Sequence, residues 1–297
     1  MLVKNKALLP VLCAALGNIL WGFSFMFKKI GLDFVPDPNV LLAHRFILSA
    51  LCMSIPLLLG KQTISFKGKN WKPILLMLVM QSTYFLFETY GVIYTNATVS
   101  GLVLAVVPVV TIGTGVLFLR EYPTRRQALF CLMPVAGVII MTVAGEELGV
   151  VTPLGILFLL LTMLTSAVFK TATRMASQEF STYERTFLVL ANSAVVFSLL
   201  GMGSVDWDVQ AFVAPLREPR YLLSIVSLGL LCSVAANLLV NYASTHMSVF
   251  KVSSFGSLST LVAVLAGVVF LGDPMSWSMW LGVVLILVGI RQVTKPK

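Results

Sequence analysis

The sequence predicts an all-α membrane protein whose ten transmembrane helices form two inverted five-helix repeats. Three observations carry that prediction: an apolar composition, ten apolar runs of spanning length, and a motif that recurs half a chain later. Of 297 residues, 58% are hydrophobic and 11% charged, with a mean hydropathy of +0.95. Soluble domains carry about a quarter charged residues, so the natural solvent of this chain is the bilayer. The same numbers exclude disordered, collagen-like and disulfide-built chains.

A helix needs about 20 residues, at 1.5 Å each, to cross ~30 Å of hydrocarbon. Runs of that kind fall near 8–28, 39–59, 73–94, 97–119, 127–144, 153–175, 184–203, 221–243, 247–271 and 276–292. The first follows Lys4 and Lys6 but is too long for a signal-peptide core. Trp21, Phe25 and Phe27 stand where a cleavage site needs small residues, so the run reads as a retained helix. Pro36 and Pro38, the stretch from Lys61 to Lys72, Arg120 to Arg126, Glu146 with Glu147, and Pro215 to Pro219 punctuate the rest. Cys13, Cys52, Cys131 and Cys232 each lie in an apolar run without CxxC or Cys/His spacing. They read as small buried hydrophobes, and no metal site is expected.

Charge sets the orientation. With a cytoplasmic N-terminus, Lys4, Lys6, Lys61, Lys67, Lys69, Lys72, Arg120, Arg125, Arg126, Arg174, Arg185, Arg291, Lys295 and Lys297 lie inside. Lys28, Lys29, Arg217 and Arg220 lie outside, and Arg45, Lys170 and Lys251 fall within helices. That bias places both termini in the cytoplasm under the positive-inside rule. The net charge of +9 is then membrane topology and calls for no nucleic-acid partner.

The repeat divides the chain into 1–146 and 147–297. Gly115-Val-Leu-Phe-Leu-Arg-Glu121 recurs as Gly267-Val-Val-Phe-Leu-Gly-Asp273, an offset of 152. The same offset pairs Tyr90 with Tyr242, Leu129 with Leu281 and Gly137 with Gly289, while Arg45 pairs with Arg185 at 140. Five helices per unit is an odd number, so the second copy enters the membrane the other way round. Inverted repeats belong to transporters, with the substrate near the midplane between the halves.

Charge at membrane depth costs roughly 2.5–3.5 kcal/mol on insertion scales and so marks function. Glu88 is the one acid that cannot reach a helix end. It reads as a structural ion pair with Arg45 in the neighbouring helix, or else as a proton carrier or amine counter-ion. Gln81, Tyr84 and Glu88 share one helix face by their i, i+3, i+7 spacing. Lys170 and Lys251 lie in the inner third, where they either snorkel to the surface or offer positive charge to a carboxylate or phosphate. Asn18 with Trp21, one turn apart, Asn192, Asn237 and Asn241 are mid-depth polar candidates, for interhelical bonding or for substrate. Pro108 lacks an N–H and should kink helix 4, freeing the carbonyl of Leu104.

Trp21-Gly22, Arg45, Tyr94-Thr-Asn-Ala-Thr-Val-Ser100 leading to Pro108, and Phe118-Leu-Arg-Glu121 before Pro123-Thr124 carry a family resemblance. Together they resemble the EamA-type, ten-helix branch of the drug/metabolite transporter superfamily over essentially the whole chain. The resemblance implies a central cavity lined by helices 1, 3, 4, 6, 8 and 9, with helices 5 and 10 as scaffold.

No P-loop, GxSxG or HExxH stands in the sequence, so no enzyme and no cofactor is expected. The expectation is a secondary transporter, an exporter or exchanger of small metabolites by alternating access, in a bacterial cytoplasmic membrane. Amino acids or related zwitterions are the foremost substrates and protons a candidate coupling ion. Transport of organic or quaternary-amine cations is the alternative, and a receptor without transport the reading from another class.

Overall fold

The computed structural model describes residues 2–35, 37–95, 103–143, 152–266, 269 and 277–294. Its long helices are α1 (Leu2–Leu32), α2 (Pro38–Leu58), α3 (Lys72–Ile93), α4 (Val107–Leu119) and α5 (Arg125–Val143). The second half supplies α6 (Pro153–Ala176), α7 (Thr182–Gly203) and α8 (Pro219–His246). It ends with α9, in two pieces (Val249–Ser254 and Gly256–Ala266), and α10 (Trp277–Thr294). No strand occurs among the described residues. Leu51, Ile55, Leu117, Leu129, Val195, Leu199 and Leu223 stay more than half exposed, an outer surface suited to lipid rather than water.

Local chemistry explains the helix ends. Asp37 accepts the Asn39 N–H at 2.7 Å, and Pro38 occupies the first turn of α2, where its missing N–H costs nothing. Ser181 and Glu184 form a reciprocal capping box at the start of α7. Arg120 closes α4 in the left-handed conformation at φ 55°.

Two expectations about helix 1 and helix 4 change. The first helix runs to Leu32, past the apolar window, so Lys28 and Lys29 belong to it rather than to a loop. Nothing breaks it before Asp33, and cations in a last turn favour the helix dipole. Helix 4 is interrupted two residues before Pro108. The chain turns at Val106, and Pro108 sits in the first turn of the segment that restarts at Val107. A residue without an N–H fits a restart better than an interior. The partner helix α9 is also broken, at Phe255, where no proline stands.

Packing follows the repeat. α3 packs most extensively on α6, and α1 on α8 and α9; α2 faces α7, and α5 faces α10. Exchange of the halves maps this pattern onto itself: α3 on α6 becomes α8 on α1, and the other two pairs map onto themselves. The α5–α10 seam shows the symmetry residue by residue. A Cβ on Gly137 would lie 2.9 Å from Ile286, and one on Gly289 would lie 2.4 Å from Pro134. Both pairs are related by the offset of 152 (137 to 289, 134 to 286), as an isologous contact demands. The second copy of the repeated motif, 267–273, lies largely outside the described residues.

The long loop 59–71 and the ends of α4, α6 and α8 gather at one end of the bundle, here the basic end. Lys69 joins Glu184 at 2.7 Å there, and Arg126 reaches Gln292 at 2.8 Å.

Candidate substrate cavity

Helix α1 lies in the crotch between α8 and α9 because glycines let it approach. A Cβ on Gly17 would stand 2.6 Å from Val240, and one on Gly22 would stand 2.7 Å from the Ser259 carbonyl. That approach explains Gly22 beside Trp21. With α1 held there, Asn18 and Trp21 face α6 and α8 across a narrow cavity whose free space, about 20 Å³, holds little more than one water. Phe169, Lys170 and Thr173 of α6 line it, with Asn237, Val240, Asn241 and Ser244 of α8 and Val252 of α9.

Five of the sequence candidates thus meet: Asn18, Trp21, Lys170, Asn237 and Asn241. Lys170 is the only charged side chain among the described lining residues. Its Nζ donates to Ser253 Oγ at 3.3 Å, Ser253 donates to Thr111 Oγ1 at 3.1 Å, and Thr111 donates to the Val107 carbonyl at 2.8 Å. This relay links the cavity to the first piece of α9 and to the restart of α4. No carboxylate of a described residue lies within ion-pairing distance of Lys170. Lys251, one helix turn from Phe255, is half-buried and does not line the cavity.

Gln81, Tyr84 and Glu88 are also absent from the lining. The expected Arg45–Glu88 ion pair is not formed. Glu88 Oε2 lies 3.8 Å from Lys28 Nζ, and its Oε1 accepts the Tyr84 hydroxyl at 3.0 Å. The longer α1 is the cause, since it carries Lys28 to the level of Glu88. Arg45 instead donates Nε to Ser233 Oγ at 2.7 Å and approaches the Cys232 carbonyl at 3.5 Å. Its guanidinium also lies 5.3 Å and 5.7 Å from the ring centres of Phe46 and Phe85. Residues Ser227–Ala235 of α8 are π-helical, and the wider turn presents the carbonyls that Arg45 and Ser49 take up.

Sequence reasoning missed the closure at the basic end. Arg174 Nε donates to Glu121 Oε1 at 3.0 Å, while its Nη1 donates to the carbonyls of Ser244 (3.0 Å) and Thr245 (2.6 Å) at the end of α8. Glu121 Oε2 accepts the Val249 N–H at 2.7 Å, at the start of α9. Arg185, fully buried, adds bonds to the carbonyls of Thr173 (3.0 Å) and Asn241 (2.9 Å) and to Thr245 Oγ1 (2.6 Å). Thr173 and Ser244, whose carbonyls Arg185 and Arg174 hold, line the cavity, so these bonds lie next to its basic-end side. The repeat motif held a signal, because it ended on Glu121, but charges at a helix end read as ordinary loop residues.

Helices of spanning length, an internal repeat and a cavity between the halves define an integral membrane protein of transporter architecture. The comparisons agree. The EamA-like transporter family model matches residues 8–143 and again 153–294, and the chain belongs to that family. The chain is 32% identical over 293 residues to the uncharacterized transporter YcxC of Bacillus subtilis (strain 168), covering 97% of this chain and 94% of that one. A second protein of that organism, the uncharacterized transporter YvbV, is 22% identical over 281 residues, with 94% and 90% covered. A solved crystal structure superposes with a TM-score of 0.77 over 95% of both chains at 16% identity, a likeness of fold alone.

Proposed function

We propose that the protein is a secondary transporter, an exporter or exchanger, of small carboxylate-bearing metabolites, foremost amino acids and related zwitterions. It sits in a bacterial cytoplasmic membrane with both termini in the cytoplasm, and the basic end is the inner end. The observation that carries the substrate class is Lys170, a lysine in a membrane cavity without an acidic partner among the described residues. A buried unpaired charge costs several kcal/mol, and a carboxylate brought by the substrate would offset that cost. Trp21 offers an aromatic face to the substrate's ammonium on another wall. A cavity whose single charge is positive speaks against quaternary-amine cations as substrates, which would need an anion there.

In this reading the Arg174–Glu121 latch closes the inner side, and its release opens the cavity to the cytoplasm. Glu88, outside the cavity and beside Lys28, is the group we assign to proton coupling rather than to substrate. Counterflow of labelled amino acids into proteoliposomes tests the proposal. Lys170→Met should weaken apparent affinity by about tenfold or more, the worth of one charge-assisted hydrogen bond. Absence of counterflow for every amino acid, or unchanged affinity in a folded Lys170→Met protein, would overturn it.

A further inference from the structure

Asn18, Asn237 and Asn241 line the cavity and are 2%, 5% and 3% exposed. Each amide nitrogen is already committed: to the Ala14 carbonyl at 2.7 Å, the Ser233 carbonyl at 2.7 Å and Thr186 Oγ1 at 2.8 Å. Chemistry fixes which amide atom faces these partners. The two carbonyls accept and never donate. Thr186 Oγ1 gives its one hydrogen to the Thr182 carbonyl at 2.8 Å, so toward Asn241 it accepts too. Turning any of the three amides over would set oxygen against oxygen.

The three Oδ1 atoms are therefore directed away from those partners, and no described residue donates a hydrogen bond to them. Each of these oxygens keeps some accessible surface, where the N–H of a ligand can reach it. Three such acceptors in one cavity suit a ligand group with several N–H donors and a positive charge. Trp21 by itself would also accept a quaternary ammonium, which binds aromatic faces through charge alone. The amide oxygens reverse that preference, because a quaternary nitrogen has no hydrogen to give them.

We propose that Asn18, Asn237 and Asn241 form an ammonium subsite that counts N–H donors, so that the cavity takes primary-ammonium zwitterions and rejects their N-trimethyl counterparts. This deepens the preceding proposal and rests on its premise that the substrate's carboxylate lies at Lys170.

The test uses the full-length protein in lipid nanodiscs and isothermal titration with five probes: L-alanine, its N-methyl, N,N-dimethyl and N,N,N-trimethyl derivatives, and propionate. Affinity should fall about tenfold for each N–H removed, as expected for hydrogen bonds to a charged group. In Asn237→Leu and, separately, Asn18→Leu, the roughly thousandfold gap between alanine and its trimethyl derivative should shrink by about tenfold. Trimethylalanine binding as tightly as alanine would overturn the subsite, and so would undiminished discrimination in both folded variants. Propionate binding as tightly as alanine would overturn the subsite while leaving the carboxylate reading intact. Failure of all five probes to bind at millimolar concentration would overturn both. The methylation series on the unaltered protein stands even if a variant fails to fold.

Discussion

Glu88 offers a quantitative contest between two basic partners. Its carboxylate lies 3.8 Å from Lys28, and the side chains of Lys28 and Glu88 are 25% and 10% exposed. Coulomb attraction at that distance is about 4 kcal/mol at an effective dielectric constant near 20. Desolvation of Glu88 and the partial exposure of Lys28 reduce the net coupling to about 1–2 kcal/mol. Arg45 is tied to Ser233 and to two aromatic rings and feels Glu88 only through space, so its coupling to Glu88 should be smaller than that of Lys28. Two double-mutant cycles measure both terms: Lys28→Gln with Glu88→Gln, and Arg45→Gln with Glu88→Gln. Stability is read by steric-trap unfolding in bicelles. Arg45→Gln alone should cost about 1–3 kcal/mol, because Ser233 and the Cys232 carbonyl lose a donor in the membrane. A larger coupling for Arg45 than for Lys28 would refute the pairing and return Glu88 to the partner that charge in neighbouring helices suggests.

In transport, Glu88→Gln should abolish accumulation driven by a proton gradient while leaving substrate exchange intact; loss of exchange as well would mean that Glu88 meets substrate, and unchanged accumulation would remove it from coupling. Arg174→Gln should open the floor of the cavity: a cysteine at Ser244, in a protein with Cys13, Cys52, Cys131 and Cys232 replaced, should react at least severalfold faster with thiol reagents added from the basic end. Equal rates with and without Arg174 would deny the latch a gating role. On the same cysteine-free background, Asp208→Cys should label from outside intact cells and Lys67→Cys should not, and the reverse pattern would invert the orientation.

Hydropathy reads depth well and azimuth badly. At 1.5 Å per residue the sequence placed Glu88, Asn18 and Lys170 along their helices. It also grouped residues by face, which brought Asn18 and Trp21 together correctly. Which neighbour a face meets depends on how closely helices approach, and here Gly17 and Gly22 decide that by letting α1 nestle against α8 and α9. Hence Gln81 and Tyr84, on a plausible face of α3, do not reach the cavity, while Asn241 on α8 does. Arg174 and Arg185 were invisible for a different reason. Their partners are backbone carbonyls of distant segments, and no residue type announces a carbonyl.

Symmetry and function place opposite demands on this fold, and the structure divides them between helices. The α5–α10 seam keeps its mates in register, Gly137 with Ile286 and Gly289 with Pro134, so it can serve as a pivot equally well in either direction. A zwitterion, the proposed substrate, has one acid and one amine, and two different halves can offer each a matching group. The cavity departs from symmetry accordingly: Trp21 and Asn18 come from the first half, and Lys170, Asn237 and Asn241 from the second. The broken helices α4 and α9 lie where the two demands meet. The relay from Lys170 through Ser253 to Thr111 ends on the Val107 carbonyl, at the restart of α4, and Glu121 at the far end of α4 holds the first turn of α9. A carboxylate that draws Lys170 away from Ser253 would loosen the first of these ties, and a loosened α9 loads directly onto the second. On the proposed function, occupancy of the cavity and release of its floor would be coupled through α4 and the first piece of α9, which the breaks at Val106 and Phe255 separate from the rest of their helices.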